Sequence, residues 1–451
     1  MSDKIKHFSG VSFAKVNAGT YALTGLDSDI FYPEMAKLAG DWERDPIVLG
    51  DVKIIPFGFD NNLPVQIRDL LEKNNLGPGI LQRKTGLQYG QGPYLYQLKL
   101  ENNEITKEWT EDAEIQAWLD TWDYRRFVRE SLIEYNHMSG FFVKYILEKG
   151  RRLGQHPVVK RMVCLHNTDC RLEYPGKFKS LEDVVNIVMA DFEANQPRDA
   201  YKYPRYDLTN PGKHGVSIDY HSLRSFAHRM YSVPSFLGTI PWVKRANDLP
   251  DIIAYLTENM IAAAYHVHEP VEYWEEKRNI LIQMNPEADE AFIAVQLGKL
   301  RDELTETIAK VLSGKKNTGK FFESIDFTDP ESGERCEWKI EPIEMNIDKF
   351  VDAQTKISRL ADSSTTSGFG LNPALSNIII DGKGDSGSQM IYALKIFYAA
   401  DTQIAEDIVF EPINRALQLN FPNKKLAMGL YRQAVNKENN VSAGNRMTNN
   451  I

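Results

Sequence analysis

Between Tyr231 and Asn420 the apolar residues recur at helical spacing in three separate stretches, and this run constrains the fold more than any other feature. In the first, Ile252, Leu256, Met260, Ala263 and Val267 make one stripe, predicting a helix over 247–268. Asn247 or Asp248 suits its cap, Pro250 its first turn and Pro270 its stop, and Ala262, Ala263 and Ala264 would let neighbouring helices approach closely. In the second, Phe350, Ala353, Ile357 and Leu360 share a face over 346–362. The third, 386–420, carries Ile391, Leu394, Phe397, Ile404 and Ile408, with a kink expected at Pro412. A module is inserted between the first two. It reads as a strand at 271–284, a helix at 286–312 with Leu297, Leu300, Leu304, Ile308 and Val311 on one face, and strands at 320–327 and 336–343 joined by the turn DPESGE. Its two ends should lie close together. A loop rich in Ser, Thr and Gly, 363–386, precedes the third helix. Helices carrying an inserted module make a scaffold rather than an enzyme pocket.

The first 245 residues read as one α+β domain. Residues 1–60 give no clear element. Asn62 and Pro64 open a helix that Gly77-Pro78-Gly79 should end, and a second helix spans 80–87. A strand follows at GQGPYLYQLKL. Helices are expected over 111–122 and 124–138, closed by Ser139-Gly140, then strands over 141–148 and 158–165. Residues 191–225 are polar and proline-rich and read as a long excursion or hairpin, and the tail from Lys424 is basic and rich in Asn.

At 451 residues the chain has room for two or three cores. The N-terminus lacks a signal-peptide apolar region, and no apolar run reaches the roughly 20 residues that span a bilayer. Three cysteines argue against a disulfide framework and point to a reducing compartment. A net charge of −9 argues against a protein that grips nucleic acid by neutralising phosphates.

Four short constellations invite a chemical reading. Gly384-Asp385-Ser386-Gly387 spells the sequence around a serine-protease nucleophile, which makes a serine hydrolase acting through Ser386 the alternative function. Yet Ser386 with Gln389 three residues on is a capping box, and helical periodicity follows it. Gly314 to Lys320 nearly matches a P-loop, but Phe321 replaces the magnesium-binding hydroxyl. Cys164, His166 and Cys170 would supply three metal ligands without a well-placed fourth, so no metal is expected. His266 and His268 fit the C-terminal end of a helix, where its dipole favours positive charge.

The order of these segments resembles that of tailed-bacteriophage portal proteins. The resemblance rests on YSVPSFLGTIPWVKRAND entering a helix that ends in HEP, and on the inserted module. It continues in the helix running into SGFGLNPALSNIII and in the last helix ending in VFEPINRAL. Upstream, PFGFDNNLPVQIRDLLEKN and QRKTGLQYGQGPYLY look like the opening of the wing. The resemblance implies an α+β portal-like fold: a wing (1–245), stem helices (246–268 and 346–362), a clip (269–345), a tunnel-loop region (363–386), a long kinked wing helix (387–424) and a short basic tail (425–451) in place of a crown. It further implies a homo-oligomeric ring, usually a dodecamer, at one capsid vertex of the virion, assembled in the host cytoplasm. Double-stranded DNA would pass through the ring, and the major capsid protein, the large terminase and a head–tail adaptor would be its partners. No cofactor and no catalytic residue are implied; another structural ring of a phage or conjugative element is a further alternative. On this reading Lys383, with Lys356 and Arg359, faces the DNA channel, and Lys315, Lys316 and Lys320 form a docking edge on the clip. An acidic chain suits such a channel, because transport requires weak contacts.

Overall fold

The computed structural model of the chain describes residues 6–8, 11–17, 20–24, 43, 45–101, 104–149, 158–193, 199–259, 265–312, 327–328, 335–336, 339–342, 347–376 and 387–433. The chain mixes helix and strand, and its contacts divide it into two units. One comprises Met1–Val243 with Asp362–Ile451, the other Lys244–Ala361, so both crossings fall inside helices.

In the first unit, β1 (Lys6–Phe8), β2 (Val11–Asn17) and β3 (Thr20–Thr24) form an antiparallel meander, and β4 (Ile47–Leu49) pairs with β5 (Val52–Ile54). Helix α1 (Leu63–Glu72) carries a proline in its first turn, as its sequence predicts, although Asn62 makes no side-chain cap. Gly77-Pro78 does not end a helix but opens the next, α2 (Gly77–Tyr89). Asn74 accounts for the difference: its Oδ1 accepts from the backbone N–H of Leu76 (3.1 Å) and Gly77 (2.7 Å) and organises the turn between the two helices.

Strands β6 (Gly92–Glu101) and β7 (Glu104–Thr110) form a hairpin, followed by α3 (Ala113–Leu119) and α4 (Tyr124–Met138). Asp112 and Asp123 cap these helices, and Ser139, at φ 55°, ends α4. The expected strands appear as β8 (Gly140–Leu147) and β9 (Val159–Leu165). A second antiparallel group follows: β10 (Cys170–Leu172), β11 (Asn186–Met189) and β12 (Tyr201–Pro204). The polar excursion also hides β13 (Val216–Ser222), which pairs with β8 along its whole length. Its Ser217, Asp219 and His221 are buried, so burial of polar side chains masked the usual alternation.

Helix α5 (Ile240–Asn259) starts seven residues before the expected cap, with Pro241 in its first turn, so Pro250 lies inside it. It also ends early. Tyr265–His268 is a strand, β14, which places Val267, His266 and His268 off the predicted helix; Met260 and Ala263 lie outside the described residues. The expected strand at 271 is a helix, α6 (Val271–Met284), opened by Pro270 at its cap and Glu272 in its first turn. Its half-buried Tyr273 and Trp274 recur seven residues on as Ile280 and Leu281, a helical period that the charged run between them obscures. Helix α7 (Glu290–Leu312) packs against it, and β15 (Phe327–Thr328) pairs with β16 (Arg335–Cys336), as the turn signal between them predicts. Strand β17 (Lys339–Pro342) then pairs antiparallel with β14, Tyr265 opposite Pro342 and His268 opposite Lys339. The two ends of the inserted module are tied together by that ribbon, as expected.

Helix α8 (Ile347–Gly368) returns the chain to the first unit, and α9 (Pro373–Ser376) is a single turn. The last helical run is α10 (Gly387–Ile396), a π turn at Phe397–Asp401 and α11 (Gln403–Asn420). Pro412 lies inside α11, and the π turn interrupts the run upstream of it. Strand β18 (Ala427–Tyr431) then joins β6 inside what the sequence presents as a loose basic tail.

Two large apolar cores, with a small third cluster of Ile54, Val188, Ala190 and Phe192, hold the first unit. In one, α4 and α11 lie on β8 and β9, burying Phe127, Leu132, Phe141, Val409, Phe410 and Ile413. Each such side chain contributes roughly 1.5–3 kcal/mol. The other gathers α1, α2, β10 and β11 around Phe57, Ile67, Leu81 and Leu172, and takes in Phe369, Leu371 and Leu375 from beyond α8.

Candidate nucleic-acid and partner surfaces

Helix α8 positions two of the three residues expected to face DNA. Lys356 and Arg359 are both exposed and stand one turn apart. The buried side differs from the predicted stripe: Gln354, Ala361 and Thr365 are buried, whereas Ala353 is exposed and Leu360 is 57% exposed. Gln354 Oε1 accepts from Arg245 of α5 (3.3 Å). Along α8 the charges alternate, Asp348, Asp352 and Asp362 against Lys349, Lys356 and Arg359, so the helix has no net charge of its own. A helix without net charge gives little of the counterion release by which a protein grips a duplex.

The residues expected as loop from 363 begin as helix. Thr366 returns its hydroxyl to the Asp362 carbonyl (2.8 Å), and Thr365 and Thr366 are buried. Gly368 allows the helix to touch Thr239, whose Oγ1 would stand 1.8 Å from any added Cβ. The turn after the helix closes at Gly370, whose φ of 67° suits a left-handed cap and whose N–H donates to the Ser367 carbonyl. Two α2 cations then hold the chain: Lys84 Nζ donates to the Phe369 carbonyl (3.1 Å) and Arg83 Nε to that of Leu375 (3.2 Å). Burial pushes Lys84 below the ordinary lysine range. These two contacts are invisible to sequence reasoning, because nothing in LQRKTG marks a carbonyl clamp. Lys383 and Ser386 lie outside the described residues, as do Lys315, Lys316 and Lys320; α10 begins directly after Ser386.

The Cys164–His166–Cys170 constellation resolves into packing, whereas Gly314 to Lys320 lies outside the described residues. Cys170 is buried in a core, burial raises the Cys164 thiol, and His166 Nδ1 lies 3.0 Å from Glu134 Oε1. Among the described residues no group of His, Cys, Asp and Glu is placed to hold a metal ion. A Tyr–His–Glu chain that sequence reasoning missed links β8, β13 and α11: His221 Nε2 lies 3.1 Å from Tyr145 Oη, and its Nδ1 2.7 Å from Glu411 Oε2. Asp219 beside it receives Arg205 (2.8 Å) and Arg415 (2.9 Å). Tyr145 and His221 are buried, and the chain fastens a helix to a sheet.

Among the described residues, no helix is long and apolar enough to cross a membrane. No family profile matches the chain, and no curated protein matches it in sequence. Solved structures do resemble it. A chain of the neck of a native gene transfer agent (GTA) particle, computed with C12 symmetry, is 10% identical, covers 87% of this chain and 87% of its own, and has a TM-score of 0.45. A chain of the virion of the native GTA particle is 10% identical over 80% of this chain and 83% of its own, with a TM-score of 0.42. A chain of the neck of the empty particle, computed with C6 symmetry, covers the same shares at 10% identity and a TM-score of 0.43. The solved structures that this chain is similar to are thus the virion and neck of a phage-like particle.

Proposed function

We propose that the chain is a subunit of a portal ring, the head–tail connector through which double-stranded DNA is packaged and ejected. One observation carries the reading. A module inserted between two long helices, α5 and α8, has both ends tied by the β14–β17 ribbon, while the unit it leaves is built from both ends of the chain. That arrangement supports α5 and α8 as stem, 269–345 as clip and the segment before α10 as the channel-facing loop. Lys356 and Arg359, on a helix without net charge, and Lys383 would contact passing phosphates weakly. Lys315, Lys316 and Lys320 would meet the terminase and then the adaptor. The subunit would act by position at the capsid vertex, without turnover, in a ring of about a dozen copies.

Apolar exposure supports association. In the second unit Val271, Ile282, Met284, Phe292, Val295 and Leu300 are all more than 40% exposed. Mass photometry and negative-stain imaging of the purified full-length protein test the reading. A closed ring is expected, and a strictly monomeric or dimeric species at micromolar concentration would overturn it. A phage carrying Lys383→Ala should form rings yet package or retain DNA poorly.

A further inference from the structure

The β6–β7 hairpin outruns its sheet. Strand β18 pairs with β6 only from Gly92 to Tyr96, whereas β7 pairs with it as far as Glu101 opposite Glu104. The last five residues of β6 and their partners therefore project as a two-stranded arm about 16 Å long at ~3.3 Å per residue. The arm has two unlike faces. On one, Lys99 Nζ lies 2.5 Å from Glu108 Oε2, beside Gln97 and Thr106. On the other, Leu100 stands opposite Ile105 and Leu98 opposite Lys107, with Leu98 58%, Leu100 70% and Ile105 73% exposed. The base is held firmly. Tyr96 and Trp109, Trp109 and Tyr431, and Tyr94 and Tyr431 meet edge to face at 5.5, 5.3 and 5.8 Å. Lys107 Nζ reaches Glu406 Oε1 at 2.7 Å. A two-stranded ribbon is marginal alone in water, so a rigidly rooted one with an aliphatic face is built to be covered.

The same chain carries a strip of matching length. Tyr392, Ile396, Ala400 and Ile404 follow each other four residues apart across α10, the π turn and α11, and all are exposed. In an unbroken α-helix this series would rotate by about 40° per step and carry Ile404 roughly 120° from Tyr392. The wider π turn offsets part of that rotation, and all four residues remain exposed. From Tyr392 to Ile404 the strip is about 18 Å long at ~1.5 Å per residue. Arm and strip are both exposed within one subunit, so the arm does not cover its own strip.

We propose that the arm of one copy lies, by its Leu98–Leu100–Ile105 face, on the Tyr392–Ile396–Ile404 strip of the next copy. Two unlike patches on each chain make a heterologous contact, which closes into a ring when the rotation allows it. This assignment rests on the ring reading and names the surfaces that would join its subunits. Its test is the full-length protein with Leu100→Cys and Ile396→Cys together, oxidised mildly and run without reductant. A ladder of covalent oligomers is expected, absent from either single variant and from the wild type. Leu100→Glu combined with Ile105→Glu, both at exposed positions, should melt as the wild type does while ring particles fall at least tenfold in mass photometry. Wild-type-sized rings from the charged variant, with no ladder from the cysteine pair, would overturn the arm and leave the ring standing. A wild type that stays monomeric would overturn both.

Discussion

Among the described residues Arg171 heads the fully buried side chains by volume, and its partners are mainly backbone carbonyls. Its guanidinium donates to the carbonyls of Asn61 (2.6 Å), Asn167 (2.9 Å), Thr168 (3.2 Å) and Cys170 (2.7 Å), and its plane lies over Phe192. Burial pushes it down to about 10, a measure of what desolvation costs the cation. Arg171→Met should strand those carbonyls and destabilise the protein by roughly 2–4 kcal/mol in urea unfolding; a loss under ~1 kcal/mol would show that water replaces the guanidinium. Glu411 behaves differently. Burial alone would raise its carboxyl, but the hydrogen bonds from His221 and Arg415 and the electrostatic attraction of both outweigh it, and the group sits below its ordinary value of 4.5. A depressed folded value stabilises above the unfolded one, and the benefit is lost as pH falls through the folded value. Melting temperature should therefore drop more steeply below about pH 4.5 in the wild type than in Glu411→Gln. Parallel curves would show that the His221 contact contributes nothing.

Elements were legible in the sequence where local signals and tertiary placement agreed. Helix α4 has an aspartate cap, an apolar stripe and a polar end, and its limits fall within a residue of those expected. The signals failed where placement overrode them. SSTTSG reads as a loop, yet it is helical because Thr365 and Thr366 are buried and Gly368 permits contact with Thr239. In the same way β18 is short and follows a lysine pair, and what makes it a strand is β6, more than 300 residues earlier. Its outer edge is closed by a device no pattern reveals. Asn414 of α11 accepts from the Met428 N–H (2.8 Å) and donates to its carbonyl (3.3 Å), as a neighbouring strand would, and Glu406 accepts from the Leu430 N–H. Asn414→Leu should lose about 1–3 kcal/mol and expose the Met428 amide to hydrogen exchange at least tenfold faster. Unchanged protection at Met428 would mean that pairing with β6 alone secures the strand. Lys356 and Arg359 lie on α8, where sequence could place them on a helix without settling which face that helix buries; the other four candidate site residues lie outside the described residues.

At the scale of the molecule the two units are unequal. Among the described residues of the second, only Leu249, Ile293 and Ala361 are buried hydrophobics, far fewer than in the first. In that second unit Val271, Ile282, Met284, Phe292, Val295 and Leu300 are exposed, so neighbouring copies in the proposed ring would cover apolar surface there. Limited proteolysis of dissociated subunits should cut within 269–345 first, and the same sites should be protected once particles form. Equal cleavage of subunit and particle would show the unit to be self-sufficient. The first unit has a different dependence, on time. Strand β6 waits at the middle of its sheet for β18, which leaves the ribosome only after some 330 further residues have been made. At ~5–20 residues per second that wait lasts on the order of half a minute. Throughout it the side of β6 that will receive β18 stays unpaired, so a chain cut short anywhere before Ala427 never acquires the finished sheet. Completion of that sheet is thus a record of synthesis: only a chain translated as far as β18 carries it.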